Sequence, residues 1–128
     1  MCAMRVFDGL TVLVVEDDWF VREDMVLGLK QEGWFVLEAD TGVGALKVLR
    51  ETNTIDLLVT DIRIADAMTG WDVAEAVRAS RPKIAVIYTS GNPDNDGRRV
   101  PKSIFMNKPV TPRELILTCY RFLPSRKS

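Results

Sequence analysis

The chain contains no histidine. That absence removes the commonest general base and the commonest metal ligand. It excludes Ser-His-Asp and Cys-His nucleophile chemistry, most zinc sites, and any role as a histidine phosphodonor. A metal site, if there is one, has to be built from oxygen donors and suits a hard cation. Cysteine is nearly absent as well. Cys2 and Cys119 stand near opposite ends of the chain, a usage that suits a reducing compartment better than a disulfide scaffold. No apolar run approaches the length of a membrane span, and the N-terminus carries no signal-peptide pattern. A cytoplasmic location is therefore expected. Neither sign of charge is in excess: the formal net charge is −1, which gives no general attraction to nucleic acid or to an anionic membrane. Neither is expected as a partner.

The 128 residues carry no repeat, low-complexity block or linker, and 47% of them are apolar, enough for one domain with a real core. Strand-like and helix-like segments alternate. Residues 10–15 are β-branched and nearly all apolar, as in a strand covered on both faces. A helical pattern follows with Val21, Met25 and Leu29 on one face, stopped by Gly33. Residues 34–37 read as a second strand. Asp40 is expected to cap a helix with Ala45, Leu46 and Leu49 inward. Residues 55–60 form the third strand. Thr69 caps a helix carrying Val73 and Val77 inward, and residues 84–89 and 104–106 are the fourth and fifth strands. The last helix opens with Thr111-Pro112-Arg113-Glu114, a capping box with proline at the first helical position, and its stripe is Leu115, Cys119 and Phe122. Trp19, Trp34 and Trp71 read as packing residues.

Such alternation implies parallel strands with right-handed crossovers. The fold class is α/β: a doubly wound five-stranded parallel sheet in the order 2-1-3-4-5. One connection fits poorly. Between Ser90 and Ile104 the chain is punctuated by Gly91, Pro93, Gly97 and Pro101, and Val100 is its only sizeable aliphatic residue. It has neither the length nor the apolar face of a stable helix, so a short or disordered fourth helix is expected.

Four of the apolar runs end in polar groups. The first meets Glu16, Asp17 and Asp18, the third meets Asp61, the fourth meets Ser90, and the fifth meets Lys108 followed by Pro109. In an open parallel sheet the C-terminal strand ends share one edge, where ligands bind. Each residue alone has a bland reading as a helix-end charge, a loop acid, a turn residue or a solvated lysine. Together they predict one site.

In type, order and spacing the set resembles the response-regulator receiver domain, the CheY-like phosphoacceptor module. The resemblance covers roughly residues 10–123 of a single domain, 1–128, expected to be a stand-alone response regulator. It implies that Asp61 is the phosphoacceptor, with Lys108 and Ser90 beside the phosphoryl group. It implies Mg2+ held by Glu16, Asp17, Asp61 and the main-chain carbonyl of Arg63. Ser90 and Phe105, three residues before the lysine, are the implied switch pair, and the Lys108-Pro109 bond is expected to be cis. The implied partners are a histidine kinase or histidine phosphotransfer protein, and an effector docked on the fourth helix, fifth strand and fifth helix. The loop after Asp61 departs from the family pattern: Ile64-Ala65 stands in place of Met-Pro, and Gly70 comes about one residue late.

Two other functions remain. A receiver-like module could bind partners without phosphorylation, although such modules usually lack the aspartate or the lysine. A haloacid-dehalogenase-type phosphatase also sets Asp, Ser or Thr, Lys and acids at strand ends. It needs Asp-x-Asp after the first strand, which Glu16-Asp17-Asp18 does not supply, and an acid pair after the lysine, which is missing.

Overall fold

Five parallel strands pair in the order β2-β1-β3-β4-β5 in a computed structural model that describes residues 9–64, 67–91 and 97–123. The elements are β1 (Thr11–Val15), α1 (Trp19–Gln31), β2 (Phe35–Ala39), α2 (Gly42–Glu51), β3 (Leu57–Asp61), α3 (Gly70–Ser80), β4 (Ala85–Ser90), β5 (Ser103–Asn107) and α4 (Pro112–Phe122). The chain crosses from β1 to both neighbours, so the order of winding reverses beside β1, where ligands bind in open α/β sheets.

Side-chain alternation along each strand splits the core into two clusters. Leu13, Val15, Leu58, Val86 and Tyr88 face α2 and α3, where Ala45, Leu49, Val73, Ala74 and Val77 meet them. Val12, Val14, Leu57, Val59 and Ile87 face α1 and α4, where Met25, Leu29, Leu115 and Cys119 meet them. The inner strands are apolar at nearly every position because both faces are covered. Burial pushes the Cys119 thiol up to about 12, as befits a packing residue. Among the described residues no helix is long and apolar enough to cross a membrane.

Several local expectations need correction. The cap of α2 is Thr41, whose Oγ1 accepts from Gly44 N at 2.9 Å, and not Asp40. On α1 the buried residues are Met25, Val26 and Leu29, while Val21 lies at the rim. Trp34 and Trp71 are buried, but Trp19 is 55% exposed and stacks edge-on against its exposed neighbour Phe20. Phe122 is 67% exposed because α4 ends there; Leu123 packs on the core instead, its N–H bonded to Cys119 O. Thr69 and Thr111 cap α3 and α4 as expected; the expected box at Thr111 is formed with Glu114, and Thr69 forms one as well, with Asp72.

The connection from β4 to β5 contains no helix over residues 97–102; the remainder of the expected fourth helix, 92–96, lies outside the described residues. Polar ties hold it instead. Val100 N donates to the buried Tyr88 Oη at 3.1 Å, and Arg78 Nη1 donates to Pro101 O at 2.6 Å. Arg98 Nη2 reaches Asp72 at 2.8 Å and Glu75 at 3.0 Å on α3. Val100 is buried, so the segment's one sizeable aliphatic residue is its anchor.

Candidate functional site at the C-terminal edge of the sheet

The strand ends converge as the polar pattern predicts. β1 delivers Glu16 one residue past its last paired position, its N–H bonded to Ala39 O at 3.0 Å. β3 ends on Asp61, paired in register with Thr89, and Ile62 N donates to Thr89 O at 3.1 Å. β4 ends on Ser90, paired with Asn107, and Lys108 N donates to Ser90 O at 2.8 Å. These ladder bonds fix the site to the sheet. Glu16, Asp61 and Ser90 are buried, whereas Asp17 is exposed.

Gly70, the first residue of α3, packs directly on the back of this corner. A Cβ there would stand 2.1 Å from the Asp61 carbonyl oxygen, so no larger residue fits without moving the Asp61 backbone. Gly70 N also donates to Ile62 O at 2.7 Å. The one-residue delay of this glycine therefore leaves its contact with β3 intact.

One carboxylate oxygen each from Glu16, Asp17 and Asp61 lies within 4.8 Å of the others. Three acids this close repel strongly. Lys108 relieves the repulsion: its Nζ donates to Glu16 Oε1 at 2.7 Å and to Asp61 Oδ2 at 2.9 Å. Burial raises the Glu16 pKa, against the lowering pull of Lys108 and of Asp18 N, which donates to Oε2 at 3.1 Å. Burial alone would lower the Lys108 pKa, but its hydrogen bonds to Glu16 and Asp61 outweigh it and hold the ammonium above its ordinary value. The donor set is all oxygen and carries three negative charges, and it fits a hard divalent cation such as Mg2+.

Arg63 is the second residue past β3, and its N–H points back to Asp61 Oδ1 at 3.4 Å. Ala65 lies outside the described residues. Phe105 is half-buried on the α2–α3 face, paired in register with Tyr88, and Ser90 is two residues beyond Tyr88 on that face. The Lys108-Pro109 bond is cis. Asp18, grouped in the sequence with the other two acids, is the cap of α1: its Oδ1 accepts from Phe20 N and Val21 N. Arg22, which has no distinguishing mark in the sequence, binds the Glu16 carbonyl oxygen at 2.8 Å.

A doubly wound sheet with acids, a hydroxyl and a lysine gathered on one edge defines the class. Residues 12–119 match the family described as the response regulator receiver domain. The chain belongs to that family and is a receiver domain of two-component systems. It is 33% identical over 118 residues to the sensor kinase CckA of Brucella abortus (strain 2308), covering 88% of this chain and 12% of that protein. It is 31% identical over 111 residues to the response regulator receiver protein CpdR of the same organism, covering 82% of this chain and 89% of CpdR. The crystal structure of a response regulator receiver protein from Sinorhizobium medicae WSM419 superposes with a TM-score of 0.84 at 30% identity, over 93% of this chain and 98% of that one. The chain spans about half the length of the probable transcriptional regulatory proteins it matches.

Proposed function

We propose that this domain is a phosphorylation-driven switch in which Asp61 accepts a phosphoryl group from a partner histidine kinase or histidine phosphotransfer protein. The observation that carries this reading is Lys108 Nζ held between Asp61 and Glu16, because it puts a fixed cation beside the nucleophile. An Asp61 carboxylate oxygen forms the new bond to phosphorus as the bond from phosphorus to the donor's imidazole nitrogen breaks, and that nitrogen leaves with its electron pair to take up a proton. Lys108 then transfers its hydrogen bond from the carboxylate to a phosphoryl oxygen. The Ser90 hydroxyl donates to another. Glu16, Asp17, Asp61 and the Arg63 carbonyl would hold Mg2+. When bound, this ion neutralises charge on the transferring group.

Movement of Ser90 toward the phosphoryl group frees space on the face it shares with Tyr88 and Phe105, and Phe105 turns into it. The output surface is then residues 97–102, β5, which carries that aromatic residue, and α4. An apolar groove of about 560 Å³ runs beside the acids and is lined by Phe20, Val21, Met25, Lys108 and Val110. We further propose that residues 1–128 form one receiver domain and that it works in the cytoplasm.

The test is intact mass after incubation with a small phosphodonor. The wild-type chain gains one phosphoryl group with Mg2+ and none with chelator, and Asp61→Asn gains none under either condition. Equal labelling of Asp61→Asn would remove the assignment, and turnover of a phosphate ester by the wild type would favour the phosphatase reading.

A further inference from the structure

Arg22 grips the peptide that joins two of the proposed metal ligands. Its Nη1 donates to the Glu16 carbonyl oxygen at 2.8 Å, and its Nε donates to Glu38 Oε1 at 3.1 Å. Glu38 lies on β2 in register with Val14 of β1, so the second bond anchors the guanidinium to the sheet. The main-chain N–H of Arg22 bonds to Asp18 O at 2.9 Å in the first turn of α1. One side chain, 13% exposed, thereby ties the end of β1, the start of α1 and β2 together.

A peptide unit is planar, so fixing the Glu16 carbonyl fixes the plane that contains Asp17 N and Cα. The Glu16 carboxylate is separately held by Lys108 on Oε1 and Asp18 N on Oε2. Asp17 is exposed, one of its carboxylate oxygens lies within 4.8 Å of those of Glu16 and Asp61, and the peptide gripped by Arg22 leads directly into it. We propose that Arg22 is a positioning residue of the metal site: anchored by Glu38, it sets the orientation of Asp17 and with it the affinity for Mg2+. The inference rests on the Mg2+ reading above. Groups that orient ligands from outside the ligand set change metal affinity by roughly 10–100-fold when removed. Lysine keeps the charge but lacks the fork that reaches both partners at once.

Charge and positioning predict opposite signs here. Removing a cation near three acids strengthens their attraction for Mg2+, whereas loosening Asp17 weakens binding. The experiment is a calorimetric Mg2+ titration of the full chain, with thermal midpoints in chelator recorded separately to report the fold alone. Arg22→Gln should weaken Mg2+ binding on the order of tenfold, and Arg22→Lys, at unchanged charge, by a smaller factor. If the wild type binds Mg2+ and Arg22→Gln binds as tightly or more tightly, the positioning role is overturned while the metal site stands. Wild-type protein that binds no Mg2+ would overturn the metal reading itself. Should Arg22→Gln fail to fold, Arg22→Lys decides: weaker binding supports the proposal and unchanged binding overturns it.

Discussion

The Nζ of Lys108 lies 2.7 Å from Oε1 of Glu16, although 92 residues separate them in sequence. The contact joins the two outermost strand ends of the site, β1 and β5, and the same ammonium reaches Asp61 between them. It explains how three acids can share one corner in the absence of a phosphoryl group. Lys108 is a counter-ion of the site as it stands, and under the proposed function it becomes a phosphoryl ligand when Asp61 is modified.

Removing that cation leaves Glu16 and Asp61 facing each other. Breaking one side of a buried ion pair costs about 3–5 kcal/mol, and a quarter-exposed lysine gives less. Lys108→Met is therefore expected to lower unfolding stability in chelator by about 1–3 kcal/mol at neutral pH, with part regained on adding Mg2+. Urea titrations with and without Mg2+ check this.

Alkaline pH probes the same contact. The Lys108 pKa is raised above 10.5 in the folded chain, so its contribution is fully present below 10.5 and is lost as pH rises through the folded value. Tyr88, raised above 10.0 chiefly by burial, has the same sign. Urea midpoints should fall on passing above about pH 10, and the fall should be shallower in Lys108→Met.

Much of this corner is legible in the sequence because sheet geometry does the work. Once residues 55–60 and 84–89 are read as neighbouring parallel strands, Asp61 and Ser90 must share an edge. Local chemistry at helix ends is less legible. Asp40 and Thr41 are both good caps, and only the backbone conformation at Thr41 chooses between them. Trp19 and Phe122 are large apolar residues read as packing, but Trp19 is the first residue of α1 and Phe122 the last of α4, and both are exposed. Arg22 looks like any surface arginine on a helix. Its partner within the site is a main-chain oxygen, and no side-chain pattern encodes that.

Magnesium should stabilise the fold by mass action. A ligand of the native state adds about 2.7 kcal/mol at 100 times its Kd. Asp17→Asn should remove most of the thermal shift. Burial raises the Glu16 pKa above 4.5, so protons compete for this ligand at higher pH than for an ordinary glutamate. The Mg2+-induced shift should therefore shrink as pH falls from 7, before ordinary carboxylates titrate. Melts with Mg2+ and with chelator that coincide at neutral pH would contradict the metal site.

The Tyr88 hydroxyl is the buried one of the polar ties that hold the β4–β5 connection. Tyr88→Phe leaves the Val100 N–H without its acceptor, and a buried unsatisfied donor costs about 1–3 kcal/mol. Amide exchange should accelerate across residues 97–102 and stay slow in β1 and β3. Uniform acceleration over the whole chain would show that the bond supports the core rather than the connection.

Trapping the acyl phosphate tests the central claim most directly. An aspartyl phosphate is reduced by borohydride to homoserine, which marks the modified position permanently. After incubation of the full chain with Mg2+ and a small phosphodonor, borohydride treatment and peptide sequencing by mass spectrometry should find homoserine at position 61 and at no other acid. Homoserine at position 17 or 18, or hydroxynorvaline at position 16, with Asp61 intact, or a phosphoryl group on a residue other than an acid, would contradict Asp61 as the phosphoacceptor.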